Sequence, residues 1–142
     1  MIDVDEDSTF DGALHFAASR GNIARVERLI GEGADIDEFD ELAWTPLHHA
    51  VKEEQVEMVI WLLDQGADVN AHLESKIGET PLGKVAQTCS LRMAEVLVRA
   101  GANPTIPGWM GITALDRAKE RKRGDGPRVF ALLSRAARRL WS

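Results

Sequence analysis

A chain of 142 residues, 44% hydrophobic and 28% charged, suits one compact soluble domain or a short repeat array. Its longest strongly apolar stretch, Met58 to Leu63, is far too short to cross a bilayer; the acidic N-terminus lacks the basic and apolar regions of a secretory signal; and the single cysteine, Cys89, excludes an internal disulfide. The formal charge of −6 conceals a gradient, with 17 acids against 4 bases in residues 1–70 and 3 acids against 9 bases in residues 101–142, so a serial array would carry one acidic and one basic pole.

Residues 1–11 form an acidic N-terminal segment, expected to be flexible. From residue 12 the chain is periodic. Leu14, Leu47, Leu82 and Leu115 recur at spacings of 33, 35 and 33, and Gly33, Gly66 and Gly101 recur in the same register, each opening Gly-Ala-Asp or Gly-Ala-Asn. These markers divide residues 12–142 into one domain of four units, about 12–44, 45–79, 80–112 and 113–142.

The first unit opens on Gly12-Ala13-Leu14-His15 without a Thr-Pro pair, as suits an N-terminal cap. In the second and third, Thr45-Pro46 and Thr80-Pro81 place a capping hydroxyl before a proline at the first helical position, where its missing N–H costs nothing. A short helix follows, about Pro46 to Glu53 in the second unit. Past a tight turn, a second helix carries apolar residues at i, i+3, i+6 and i+7: Ile23, Val26, Leu29 and Ile30; Val56, Val59, Leu62 and Leu63; Leu91, Ala94, Leu97 and Val98. The glycine just beyond each stripe supplies the left-handed conformation that ends a helix. The fourth unit inserts two extra residues, around Lys119–Arg123 and Gly124-Asp125-Gly126-Pro127, and the 35-residue step before the third lengthens the segment from His72 to Glu79. A single helix pair cannot bury its stripe alone, so the pairs must stack into an all-α repeat solenoid with one continuous core.

Thr45-Pro46-Leu47-His48-His49-Ala50, Val59-Ile60-Trp61-Leu62-Leu63 and Gly66-Ala67-Asp68-Val69-Asn70 closely resemble the ankyrin repeat, and the resemblance extends over about residues 12–142. It implies helix-turn-helix repeats joined by β-hairpin fingers, with fingers and first helices forming a concave protein-binding surface. It also implies that His15 and His48 are structural histidines. The third unit departs from the family with Gly83 in place of histidine, and the fourth with Thr113-Ala114-Leu115-Asp116. An asparagine placed like Asn70 is in this family a hydroxylation target.

Enzyme signals are absent: no phosphate loop, no nucleophile elbow and no zinc spacing, so no catalysis, cofactor or metal is expected. Cys89 reads as an inert thiol. The basic run Lys119–Arg123, with Arg135, Arg138 and Arg139, reads as a solvated capping face. Nucleic-acid binding through it is an alternative that the acidic whole and the lack of interleaved aromatics oppose. Leu140 and Trp141 are expected to fold back on the last helix.

The ankyrin framework places Phe39, Glu41, Leu42 and Trp44 at the first finger tip, His72 and Ile77 in the second, and Trp109 and Met110 in the third. Lys52 and Glu53 stand on the concave wall with Ser19, Arg20, Gln87 and Thr88. Large apolar groups at such tips resemble an interface awaiting its partner, although Trp44 and Ile112 are equally placed to pack between fingers. Asp35, Asp37, Glu38, Asp40 and Glu41 favour a partner with a basic patch. The expectation is a cytoplasmic, monomeric module acting by occlusion or tethering; a narrower alternative is an inhibitor or immunity protein covering a basic enzyme such as a nuclease toxin.

Overall fold

The computed structural model describes residues 12–76 and 78–140; the acidic segment 1–11, Ile77 and Trp141 lie outside them. In chain order the α-helices are α1 (Ala13–Ser19), α2 (Ile23–Gly31), α3 (Pro46–Lys52), α4 (Val56–Asp64), α5 (Pro81–Val85), α6 (Leu91–Arg99), α7 (Ala114–Lys119) and α8 (Gly126–Leu140). The odd-numbered helices form one layer, α1 on α3, α3 on α5 and α5 on α7, while α4 packs on α6 and α6 on α8 in a second layer.

Local chemistry sets each boundary. The Thr45 hydroxyl caps α3 behind Pro46, and Thr80 and Thr113 accept from the backbone N–H groups of Gly83 and Asp116, both at 3.0 Å. Asp116 returns the contact by accepting from the Thr113 N–H at 3.0 Å, a reciprocal cap that holds its carboxyl below the usual carboxylate range. At the far ends of α2, α4 and α6, Gly33, Gly66 and Gly101 adopt φ of 107°, 96° and 95°, and the N–H of the following alanine returns to the helix, as with Ala34 to the Leu29 carbonyl at 3.0 Å.

The apolar stripes close the core. Val26, Val59, Leu62, Ala94 and Leu97 are buried, and Ile23, Ile30, Val56, Leu63, Leu91 and Val98 pack partly buried against them. In the first-helix layer, Leu14, Leu47 and Leu82 sink beside the small residues Ala17, Ala18, Ala50, Ala86 and Ala118, whose size lets neighbouring helices approach closely. Met58 and Met93 fill matching positions in α4 and α6, one residue before each stripe's second member, and Arg25 is buried at that position in α2.

Three expectations need correction. No strand forms among the described residues, so the fingers are loops, each closed by a backbone hydrogen bond across its base: Asp40 N–H to Trp44 O, Gly78 N–H to Leu73 O and Gly108 N–H to Ile112 O, all at 2.9 Å. Asx turns consume the amides a ladder would need, with Asp37, Asn70 and Thr105 N–H groups each donating at 2.9 Å to the side chain two residues back, and Pro104 and Pro107 remove further donors from the third finger. Leu140 does not fold back; it is 51% exposed. Nor is the basic run wholly solvated, because half-buried Arg121 donates to the Cys89 and Ala86 carbonyls at 2.9 and 3.3 Å and so caps the turn after α5.

That arginine explains Gly126. A Cβ there would lie 2.5 Å from the Arg121 Cβ and 3.0 Å from its carbonyl oxygen. Gly126→Ala is therefore expected to cost about 1–3 kcal/mol of overpacking, read as a lower urea midpoint, whereas the same change at exposed Gly31, whose Cβ would meet nothing, should not destabilise.

His48 makes folding sensitive to pH. Burial pushes its imidazole from an ordinary 6.5 down to about 4, so the native state holds it neutral while the unfolded chain takes a proton. Its contribution is complete above pH 6.5 and is lost as pH falls toward 4, by about 3 kcal/mol in all. Urea titrations between pH 7.5 and 4.5 should show this decline, and His48→Gln should be less stable at pH 7.5 with a shallower decline.

Candidate protein-binding face

The side chains that could serve a function gather where the fingers meet the first-helix layer. His48 anchors the middle. Its Nδ1 accepts from the Thr45 N–H at 3.0 Å, which leaves the proton on Nε2, and that group donates to the Glu79 carbonyl at 2.6 Å, 31 residues away. His15 reaches the Glu38 carbonyl through its Nε2 at 2.7 Å, while its buried Nδ1 has no hydrogen-bond partner. Both histidines thus bind backbone in the following finger.

Trp44 lies across this layer. Its ring stacks on His48 at 6.4 Å and tilts over His49 at 4.8 Å, with the Lys52 and Lys84 ammonium groups 5.2 and 4.6 Å from its centroid. The half-buried indole is therefore the floor of the face and not a projecting tip. Asp40 shapes the finger above it. One carboxylate oxygen accepts from the Leu42 and Trp44 N–H groups at 2.9 and 3.0 Å, and the other accepts from His49 Nε2 at 2.7 Å. Burial opposes ionisation of Asp40, but the hydrogen bonds from His49, Trp44 and Leu42 outweigh it and hold the carboxyl below its ordinary range. Burial also lowers the His49 imidazole, so near neutral pH the pair is a neutral donor on a carboxylate.

The tips differ in exposure. Leu42 is 64% exposed above a turn in which Ala43 has φ 62°. Trp109 and Met110 are 57% and 73% exposed on a 3-10 turn spanning Trp109–Gly111, with Met110 itself at φ 57°, a conformation that costs a non-glycine residue energy. Glu41, Lys52 and Glu53 are exposed as well, while Phe39 and His72 are half-buried, the latter donating through Nδ1 to the Asn70 carbonyl at 2.7 Å. Ile77 lies outside the described residues, in a finger that carries a 3-10 turn over Glu74–Lys76.

One contributor escaped the sequence reading. Phe16 stands 56% exposed on α1, with the Arg20 guanidinium 5.9 Å from its ring. It occupies the repeat position of His49, Lys84 and Arg117, and aligning those residues would have revealed it. At the other end, Gln87, Ile112, Asp116 and Arg117 line a cleft of about 480 Å³ between α5, α7 and the third finger. A smaller cleft of about 320 Å³ separates the second and third fingers, with His72, Gly78, Ile106 and Gly108 in its walls.

Much of the first finger's acid is architectural. Asp35 takes the Asp37 amide at 2.9 Å, Asp37 takes the Asp68 amide at 2.9 Å, and Asp40 is engaged as above. Burial raises the Asp37 carboxyl above its ordinary range. Glu38 and Glu41 stand exposed beside them. Asn70 is similarly committed, donating to the Gly101 carbonyl at 3.2 Å and accepting from the Asn103 N–H at 2.8 Å.

Cys89 is buried, and burial pushes its thiol up to about 11, which leaves almost no thiolate near neutral pH. Among the described residues, no group of three or more His, Cys, Asp or Glu side chains is placed to hold a metal ion. No described helix is long and apolar enough to cross a membrane.

If Asp40 is what fixes the first finger, Asp40→Ala should accelerate hydrogen exchange at the Leu42 and Trp44 amides at least tenfold while leaving the α6 amides unchanged. Equal rates in the variant and the parent would assign the loop's shape to other contacts.

Comparison with known proteins gives a consistent picture. A family model described as ankyrin repeats in three copies matches residues 2–72. A mouse 2-5A-dependent ribonuclease is 40% identical over 72 residues, covering 50% of this chain and 10% of that protein. Human Rabankyrin-5 is 33% identical over 122 residues, 77% of this chain and 10% of that protein. Human protein phosphatase 1 regulatory subunit 27 is 42% identical over 59 residues, 42% of this chain and 38% of that protein. The matches thus span from a tenth to about two fifths of the lengths of these relatives.

Proposed function

The chain belongs to the ankyrin repeat family, whose repeats are generally protein-interaction modules, and on that premise we propose that its finger tips and first-helix face bind one partner protein by occlusion or tethering, with no covalent step. The observation that carries this reading is the set of exposed Phe16, Leu42, Trp109 and Met110 on α1 and on the first and third fingers. Keeping each in water forgoes roughly 1.5–3 kcal/mol of the free energy that full burial would release. Two further features support it. The fingers are shaped by side-chain hydrogen bonds before any partner arrives, which reduces the ordering entropy lost on binding, and Met110 keeps an exposed side chain despite its unfavourable backbone. Similarity to a phosphatase regulatory subunit fits a role exerted through binding.

The partner's complementary surface is divided. Glu38, Asp40 and Glu41 favour basic groups opposite the first finger, while Lys52 and Lys84 on the floor favour an acidic or polar group opposite Trp44. Apolar anchors supply the affinity, and these charges orient the encounter and quicken it at low salt.

The test is affinity capture from the native host with the parent chain beside Leu42→Ser/Trp109→Ser. The expected result is one or a few proteins held stoichiometrically by the parent and reduced at least tenfold with the variant, whose thermal melting should match the parent's. The same proteins recovered at the same yield would show that these tips are not the contact surface.

A further inference from the structure

The opposite layer carries a second surface that the finger and first-helix face does not explain. Between α6 and α8 runs an open groove of about 560 Å³. Its floor is apolar, made of Leu91 and Val98 from α6 and of Ala131 and Leu132 from α8. Leu91, Val98 and Leu132 are only partly buried against the core, so they finish the core on one side and face the groove on the other. The rim holds Arg99, Arg128, Arg135 and Arg139, with Glu95 as the one acid among the lining residues.

The pattern follows helix geometry. Positions 128, 131, 132, 135 and 139 fall at i, i+3, i+4, i+7 and i+11 on α8, and positions 91, 95, 98 and 99 fall at i, i+4, i+7 and i+8 on α6, so each helix presents one continuous stripe. Two such stripes with a gap between them leave room for a third amphipathic helix. The stretch from Arg128 to Arg139 is about 17 Å long at 1.5 Å per residue, which matches an occupant of about three turns.

Chemistry selects the occupant. Solubility alone would be served by lysine, yet every cation lining the groove is arginine, the weakly hydrated planar group that grips carboxylates in a two-pronged fashion and lies over apolar surface at little desolvation cost. A duplex or single strand would use the arginines but leave the aliphatic floor idle, and no aromatic lines the groove for a base to stack on. We propose that the α6–α8 groove is a docking site for an acidic amphipathic segment of a partner protein, aliphatic side chains on the Leu91–Leu132 floor and carboxylates on Arg99 and Arg135. This site shares no residue with the finger and first-helix face, so both can be occupied together.

The experiment uses the full chain and a fluorescein-labelled 12-residue peptide with leucine at i, i+3, i+4 and i+7 and glutamate at most other positions, followed by fluorescence anisotropy. The expected results are saturable binding, at least tenfold weaker with Arg99→Ser/Arg135→Ser, and at least tenfold weaker with Ala131→Glu, which places a carboxylate on the floor. Residues 99, 131 and 135 are exposed, so both variants should melt with the parent, and Leu42→Ser/Trp109→Ser should bind the peptide as the parent does. A matching peptide with serine for leucine should bind at least tenfold more weakly. The proposal is overturned if the arginine variant keeps full affinity, if the leucine-free peptide or a 12-nucleotide DNA strand binds as tightly, or if the unliganded protein sediments as a dimer that the arginine substitutions dissolve, which would assign the groove to a second copy.

Discussion

Glu79 ties three consecutive repeats together. Its carbonyl accepts the proton on His48, its carboxylate pairs with the Arg117 guanidinium, and its side chain lies where any Cβ at Gly108 would come within 2.6 Å of its Cγ. The ion pair is largely sheltered, with the two side chains 14% and 22% exposed, so solvent screens it less than a surface pair. Because this one residue touches α3, the third finger and α7, it helps to hold the spacing between the finger bases from within. The exposed groups above them inherit that spacing.

Elsewhere the repeats are joined by a regular ladder. Asp68 donates its amide to Asp37, and Asn103 to Asn70, while Gln55 reaches the Ser19 carbonyl at 3.1 Å and Glu54 accepts from the Ser90 amide and hydroxyl at 2.9 and 2.8 Å. Each link crosses one repeat boundary, so cohesion is a sum of neighbour terms. In the third repeat Gly83 stands where His48 does in the second, so no imidazole reaches forward from α5, which is only five residues long. Arg121 compensates by reaching back across the boundary to the carbonyls at the end of α5.

The sequence made the stack legible because its signals are local. A threonine before a proline, an apolar stripe and a glycine beyond it are each decided within one turn of helix, and their recurrence reports the repeats. What escaped is long-range. Nothing near Arg121 announces that it will turn inward to the Cys89 carbonyl, and nothing near Glu79 announces three partners 29 to 38 residues away. The binding face was partly legible. Leu42, Trp109 and Met110 stand exposed, but Trp44 lies flat under two lysines, and most of the first finger's aspartates hold backbone amides. Its Asp40-x-Leu42 turn was readable in hindsight, since an aspartate two residues before an amide it can reach is a local pattern.

Fingers built without strands have a consequence for how such a molecule can change. A hairpin ladder would lock the length of one arm to the other, so that adding a residue would turn every side chain beyond it to the opposite face. Here the longer connection between Asn70 and Thr80 carries a 3-10 turn over Glu74–Lys76, while Asn70 still meets Asn103 as Asp37 meets Asp68. The loops are therefore interchangeable heads on a fixed rail. New specificities can be written there by insertion and replacement, without renegotiating the scaffold that carries them.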